Sequence, residues 1–246
     1  MKKEKSTAEP QRKEKDIFNL NISVDCTIFG FHSGSLKVLL CKPSAGEKWM
    51  LPGGLITRDE IPDETARRIL KAKTGLSDTY LKQFSFFGRK DKKQEESENP
   101  EILSEISLAY FALIKSGDAQ LVEDNDTEHI EWFEINNISD LHPEHKIIFE
   151  TALSTLRKQI GFIPIGYELL PEKFTMPELR SIYEAILGRE LDRRNFQRKM
   201  LSIGFIKALN ETRKVGAHKS PNLYSFDKKK YEEAERLGIQ LMSNNL

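Results

Sequence analysis

Cysteine is scarce in this chain of 246 residues: only Cys26 and Cys41 are present, beside five histidines. Two cysteines cannot build a disulfide framework, and no Cys/His set has zinc spacing. Both thiols therefore read as small buried residues of a reducing, cytoplasmic protein. No apolar run approaches the roughly 20 residues of a membrane span, which leaves no membrane partner. Residues 1–16 are rich in Lys and Glu without an apolar segment, so they read as a solvated, disordered tail and not as a secretory leader. Coiled-coil heptads, collagen periods and repeats of 20–50 residues are missing as well. Net charge is the last absence, since 38 Lys+Arg balance 38 Asp+Glu. A zero total excludes a nucleic-acid partner only if the charge is spread evenly.

It is not spread evenly. Residues 17–160 hold 17 basic and 23 acidic side chains, a net of −6, whereas residues 175–230 hold 13 and 6, a net of +7. The length suits two domains. An acidic module followed by a basic one implies two different partners.

In the acidic module, Leu20, Ile22, Val24, Cys26 and Ile28 alternate with polar residues, the period of a strand. A Ser/Gly turn at residues 32–35 and a second strand over 36–41 complete a hairpin. Residues 49–54 form an apolar approach ending in Pro52-Gly53-Gly54. Pro62 and Gly75 bracket a helix whose apolar stripe is Ala66, Ile69 and Leu70. Residues 82–89 are a further strand, 91–100 an exposed charged loop, and 106–114, apolar on both alternations, a central strand. Residues 129–135 are the next strand. A helix over 144–160 places Ile147, Ile148, Ala152 and Leu156 on one face. Tyr110 and Trp132 read as core. Residues 161–171, with two Gly and two Pro and no clear period, read as the linker between a domain of residues 17–160 and one of residues 172–246, and the apolar residues of that linker point to its packing on something.

The spacing Gly54, five residues, Glu60, seven residues, Arg68, with Gly75 and Leu76 in register, resembles the Nudix box. The resemblance covers roughly residues 17–160 and implies an α/β/α sandwich with a mixed sheet. The family pattern continues after Arg68 with glutamates that hold a divalent metal, and a hard cation needs such oxygen ligands to polarise water at a diphosphate. This chain has Ile69, Ala72 and Lys73 there. The fold is retained, while metal, cofactor and catalytic residues are all expected to be absent. Arg68 has a structural part in the family, orienting acidic groups and bracing the loop. The positions the resemblance assigns to ligand binding are Asp25, Lys42, Trp49, Gly53, Gly54, Glu60 and Arg89.

The basic module begins with a helical stripe, Leu179, Ile182, Tyr183 and Ile186. Thr175 and Glu178 are placed as a capping box and Gly188 as the stop. Asp192 caps a second helix running to about Ile203, with Phe196, Met200, Leu201 and Ile203 toward the core. Short strands over 205–209 and 223–226 flank a basic loop. Helix, tight turn, helix and hairpin make a winged helix-turn-helix. Arg193, Arg194, Asn195, Gln197, Arg198 and Lys199 lie on the second helix, where Arg reads guanine and Asn or Gln reads adenine. Arg213, Lys214 and Lys219 sit where a wing meets phosphates. Asn195 also has a local capping reading.

The segment Leu169-Leu170-Pro171, Phe174-Thr175, Leu179, residues 183–188, then Asp192-Arg193-Arg194-Asn195-Phe196 with Arg198-Lys199-Met200, resembles the C-terminal domain of the Nudix-related transcriptional regulators of NrtR type. With the degenerate Nudix box, the likeness spans about residues 17–227, an α+β protein of two domains. It implies a homodimer on a palindromic double-stranded DNA operator, with half-sites about one helical turn apart. It also implies a small effector, ADP-ribose-like in one branch and a sugar in another. The acidic surroundings favour a sugar or sugar-derived ligand. The competing reading is a diphosphate hydrolase with a basic accessory domain, and a third is a DNA-binding scaffold whose sensor is dead.

Overall fold

The computed structural model describes residues 20–32, 34–44, 48–90, 104–123, 127–160, 165–214 and 220–237. The expected tail (1–16) and charged loop (91–100) lie outside them, as do residues 161–164 and 215–219.

A mixed six-stranded sheet forms the first half. Strands β1 (Leu20–His32), β2 (Ser35–Pro43), β3 (Gly53–Leu55), β4 (Tyr80–Lys90), β5 (Ser104–Lys115) and β6 (Thr127–Glu134) are ordered β4-β5-β1-β2-β6, with β3 also on β1. Among the described strands, β1 and β5 are the one parallel pair, in register from Leu20↔Ser104 to Phe31↔Lys115. Strand β5 is apolar on both faces, with Ala109, Phe111 and Leu113 on one and Tyr110, Ala112 and Ile114 on the other, whereas β1 buries Ser23, Asp25 and Thr27 on one of its faces.

Helix α1 (Pro62–Thr74) covers one face. Pro62 opens it where a missing N–H costs nothing, and Gly75, at φ 74°, closes it with an N–H bond to Lys71 O of 2.8 Å. Val24, Cys26, Ile28, Ile69, Leu70 and Tyr110 form the core beneath it. Helix α2 (Pro143–Gln159) covers the other face. Its buried side is His145, Ile148, Phe149, Ala152, Leu153 and Leu156. Ile147, expected on that face, is 56% exposed. The apolar arc is centred one position further round, on Phe149, whose ring lies 6.3 Å from that of Phe29.

The segment expected to be linker carries a short helix, α3 (Ile165–Leu169), with Ile165, Leu169 and Leu170 buried. A turn of helix too short for periodicity to register is held there by packing. Next come β7 (Phe174–Thr175), α4 (Met176–Leu187), α5 (Arg193–Ser202), β8 (Ile206–Thr212), β9 (Asn222–Phe226) and an unanticipated α6 (Lys228–Leu237). The second sheet is antiparallel, β7-β9-β8. Leu201, expected inside, is 37% exposed. Phe196 and Met200 alone carry the buried face of α5. One apolar cluster runs unbroken from Phe29, Val38 and Phe111 through Leu153 and Leu156 to Leu169, Phe174, Leu179 and Phe196. The winged helix is therefore packed on the sheet domain and not hung from it. Among the described residues no helix is long and apolar enough to cross a membrane.

Candidate functional site

Strand β3 lays Gly53 opposite Asp25 and Gly54 opposite Val24 on β1. Asp25 is buried and accepts a short hydrogen bond from Ser107 Oγ on β5. A methyl group on Gly53 would collide with the Asp25 carboxylate, so the close approach of the strands needs glycine there. His145 of α2 completes the group. Its Nδ1 accepts the Leu51 N–H at 3.2 Å and lies 3.9 Å from Asp25 Oδ1. Ser107 and His145 were missed in the sequence. The available signal was a polar residue at an apolar-stripe position of α2.

Glu60 and Arg68 form a second group beside β3. Arg68 Nε donates to Glu60 Oε1 at 2.6 Å and its terminal nitrogen to Glu60 Oε2 at 2.9 Å, a two-point fork. The same nitrogen reaches Leu55 O at 3.2 Å, and Thr65 Oγ1 donates to Glu60 at 2.9 Å. Hydrogen bonding from Arg68 lowers the Glu60 pKa to about 2 and raises that of Arg68. The bonds fasten the 55–60 loop to α1, the bracing part that the resemblance gave Arg68.

The three positions after Arg68 do not fit a divalent cation. Ile69 is buried in the core under α1, Ala72 presents an exposed methyl group, and Lys73 is a buried ammonium. None supplies an oxygen ligand, and Lys73 carries the wrong charge. Among the described residues no three His, Cys, Asp or Glu side chains converge as a ligand set.

The remaining ligand candidates are less closely gathered. Trp49 packs edge-on against Phe133 at 4.7 Å, which uses its ring in the core. Lys42 lies half-buried on β2, next to Cys41, whose backbone pairs with Met50. Arg89 sits on the edge strand opposite Glu105, while Asp25 is level with Ala109. Four residues of strand, about 13 Å, separate those levels. The backbone thus places Arg89 away from Asp25, a separation that strand-by-strand reading does not reveal. The Arg89 side chain is outside the described residues.

The basic helix is built by local chemistry. Asp192 accepts the Asn195 N–H at 2.8 Å, capping α5. Arg193, Arg194, Asn195 and Arg198 are exposed, and Arg198 donates to Asn195 Oδ1 at 2.9 Å. Gln197 is half-buried and donates to Tyr224 OH at 3.4 Å, tying α5 to the wing strand. Lys199 is half-buried, and desolvation lowers its pKa. A notch of about 260 Å³ beside α5 is lined by Met176, Arg180, Arg193, Gln197, Asn222 and Tyr224.

Arg213, expected on the wing surface, is half-exposed and is engaged within the module. It donates to Glu178 Oε1 at 2.8 Å and to Lys173 O at 2.6 Å, bracing the start of α4. Glu178 also caps Thr175, so the carboxylate serves both. Lys214 is exposed, and Lys219 lies outside the described residues.

The NUDIX domain family model matches residues 20–152, and the NrtR DNA-binding winged helix domain model matches residues 166–226. The chain is similar to the ADPR responsive transcriptional repressor NtrR of Acinetobacter baylyi, at 29% identity over 90% of this chain and 88% of that protein. The structure of NrtR of Shewanella oneidensis complexed with a 27mer DNA has the same fold. Its TM-score is 0.70 at 24% identity, over 86% of this chain and 95% of that one. A MutT/nudix family protein of Enterococcus faecalis shares the fold as well, with a TM-score of 0.66 at 19% identity, over 88% and 90% of the two chains.

Proposed function

The chain belongs to the NrtR-type family, a Nudix domain joined to an NrtR DNA-binding winged helix domain, and from this we propose that it is a transcriptional regulator. It binds operator DNA through α5 and the wing, senses a small ligand in the Nudix domain, and does not hydrolyse that ligand. The observation that carries the reading is the pairing of two states in one chain. An exposed basic helix stands on a winged-helix frame, and the Nudix helix has apolar, methyl and ammonium groups where oxygen ligands belong.

Arg193, Arg194 and Arg198 are the residues we assign to DNA, with Asn195 holding Arg198 in place and Lys214 on phosphate. Arg213 and Gln197 position the module. The protein acts as a homodimer on a palindromic site with half-sites about 34–36 Å apart. The effector is a nucleotide of ADP-ribose kind, the class to which the Acinetobacter relative is named as responsive. The acidic sensor domain, net −6 over residues 17–160, favours a second reading, an uncharged sugar.

The test is a titration of the upstream DNA of its own gene by fluorescence anisotropy, alone and with ADP-ribose or a panel of free sugars. A specific complex whose affinity one of these ligands changes is expected. Arg194→Ala and Arg198→Ala should each cost about 1–3 kcal/mol where the arginine reads a base, and less, with a shallower salt dependence, where it holds phosphate. Unchanged affinity in both variants would remove the assignment of α5. Release of AMP and ribose 5-phosphate from ADP-ribose with Mg²⁺ would restore the hydrolase reading.

A further inference from the structure

Helix α2 is fastened at its two ends to parts with different roles. At its start the cap residue His142 donates its backbone N–H to Trp49 O at 2.8 Å, and Trp49 N–H donates to Asp140 O at 3.1 Å. One turn on, His145 accepts from Leu51 N–H at 3.2 Å and lies against Asp25. The first turn of α2 is thus tied to residues 49–51, which lead directly into Gly53 and Gly54.

At its other end, Arg157 Nε donates to Ile186 O at 2.8 Å. A terminal guanidinium nitrogen of Arg157 lies 3.6 Å from where a side chain on Gly188 would begin. Ile186 belongs to the last turn of α4, whose carbonyls have no partner within the helix and attract a cation. Gly188, at φ 69°, opens the turn that leads through Leu191 and Asp192 into α5. Between the two anchorages, the 17 residues of α2 make a rod of about 25 Å, buried along Ile148, Ala152 and Leu156.

From these anchorages we infer that α2 couples the ligand site to the DNA-reading helix, with Arg157 as the positioning residue at the junction. The inference rests on the ligand-controlled reading above and names its route. A ligand alters DNA affinity only by binding one arrangement of the reading helices better than another. Ligand contact at residues 49–54 displaces the start of α2. The rod carries that displacement to Arg157, whose bond to Ile186 O passes it on to the α4–α5 turn and so to α5, while the caps and core of the winged helix hold the turn itself. Packed elements pass such shifts on because their packing is not continuously deformable.

The experiment uses the full chain, an operator duplex and ADP-ribose, with wild type, Arg157→Ala and Arg157→Lys. Duplex affinity is measured with and without ADP-ribose, and ADP-ribose affinity without DNA by calorimetry. Wild type should show coupling within the usual range of about 5–150-fold. Arg157→Ala should reduce the coupling to about twofold or less while leaving each separate affinity near wild type, and Arg157→Lys, which keeps the charge at the carbonyl, should restore part of it. Wild-type coupling in Arg157→Ala would overturn the inference. So would a loss of operator affinity without ligand, which would make Arg157 a structural prop. A wild-type protein that binds the duplex and ignores ADP-ribose is a separate outcome. It would overturn the effector reading first and this route with it.

Discussion

Glu60 shows how a residue inherited in a motif serves as a brace. Its two oxygens are taken up by Arg68 and Thr65, and Arg68 reaches on to Leu55 O. A carboxylate whose pKa falls from 4.5 to about 2 on folding contributes stability that is complete above 4.5. That contribution is lost as the pH drops toward about 2. Glu60→Gln should flatten the pH dependence of unfolding between those limits and leave the neutral-pH slope alone. Urea unfolding at a series of pH values checks this. An unchanged acid limb would mean that the fork is not closed in solution. The same residue scale separates Arg213 from Arg198. Both are arginines of the basic module, yet Arg213 braces Glu178 and Lys173 O while Arg198 stays exposed beside Asn195.

At the scale of elements, helix ends depend on a few neighbouring residues and follow the sequence closely. Thr175 and Glu178 exchange hydrogen bonds across the start of α4, with Thr175 N–H donating to Glu178 Oε2 at 2.7 Å and Glu178 N–H to Thr175 Oγ1 at 3.4 Å. Asp192 caps α5 in the same manner. Thr175→Ala and Asp192→Ala should each destabilise the fold by about 1 kcal/mol. Only Asp192→Ala should also weaken DNA binding, because it frays the turn that presents Arg193 and Arg194. Thermal unfolding and operator titration on the two variants separate the effects, and equal DNA affinity in both would contradict the assignment of α5. Such caps, with Pro62 and Gly75, explain why α1 and α4 were legible to the residue. What depended on distant partners was not. The apolar arc of α2 is set by the sheet it meets, so Ile147 faces out and Phe149 in. Helix α3 exists only because the cluster around Leu169 receives it. His145 joins Asp25 from 120 residues away in the chain, and no local pattern encodes that meeting.

The whole molecule is read best from its core. Zero net charge hides an acidic sensor and a basic reader, and the sequence alone suggested two modules with a linker between them. The apolar cluster takes the linker into the core. It passes from Phe111 of the sheet through Leu156 and Ile160 to Leu170, Phe174 and Leu179 without a gap. Separating the modules would expose those side chains, and each large apolar residue re-exposed costs roughly 1.5–3 kcal/mol. The stability of either half therefore includes the surface it shares with the other, and neither can unfold while the other keeps its full core. Calorimetry at fixed chain concentration should accordingly show one transition, with the calorimetric enthalpy close to the van't Hoff value. Phe174→Ala, at the centre of the shared cluster, should lower that single transition by about 3–5 kcal/mol without splitting it. Two resolved transitions in the wild type would mean that the modules melt independently. A ligand could then not reach α5 through packed helices, since that route exists only while the two modules share one core.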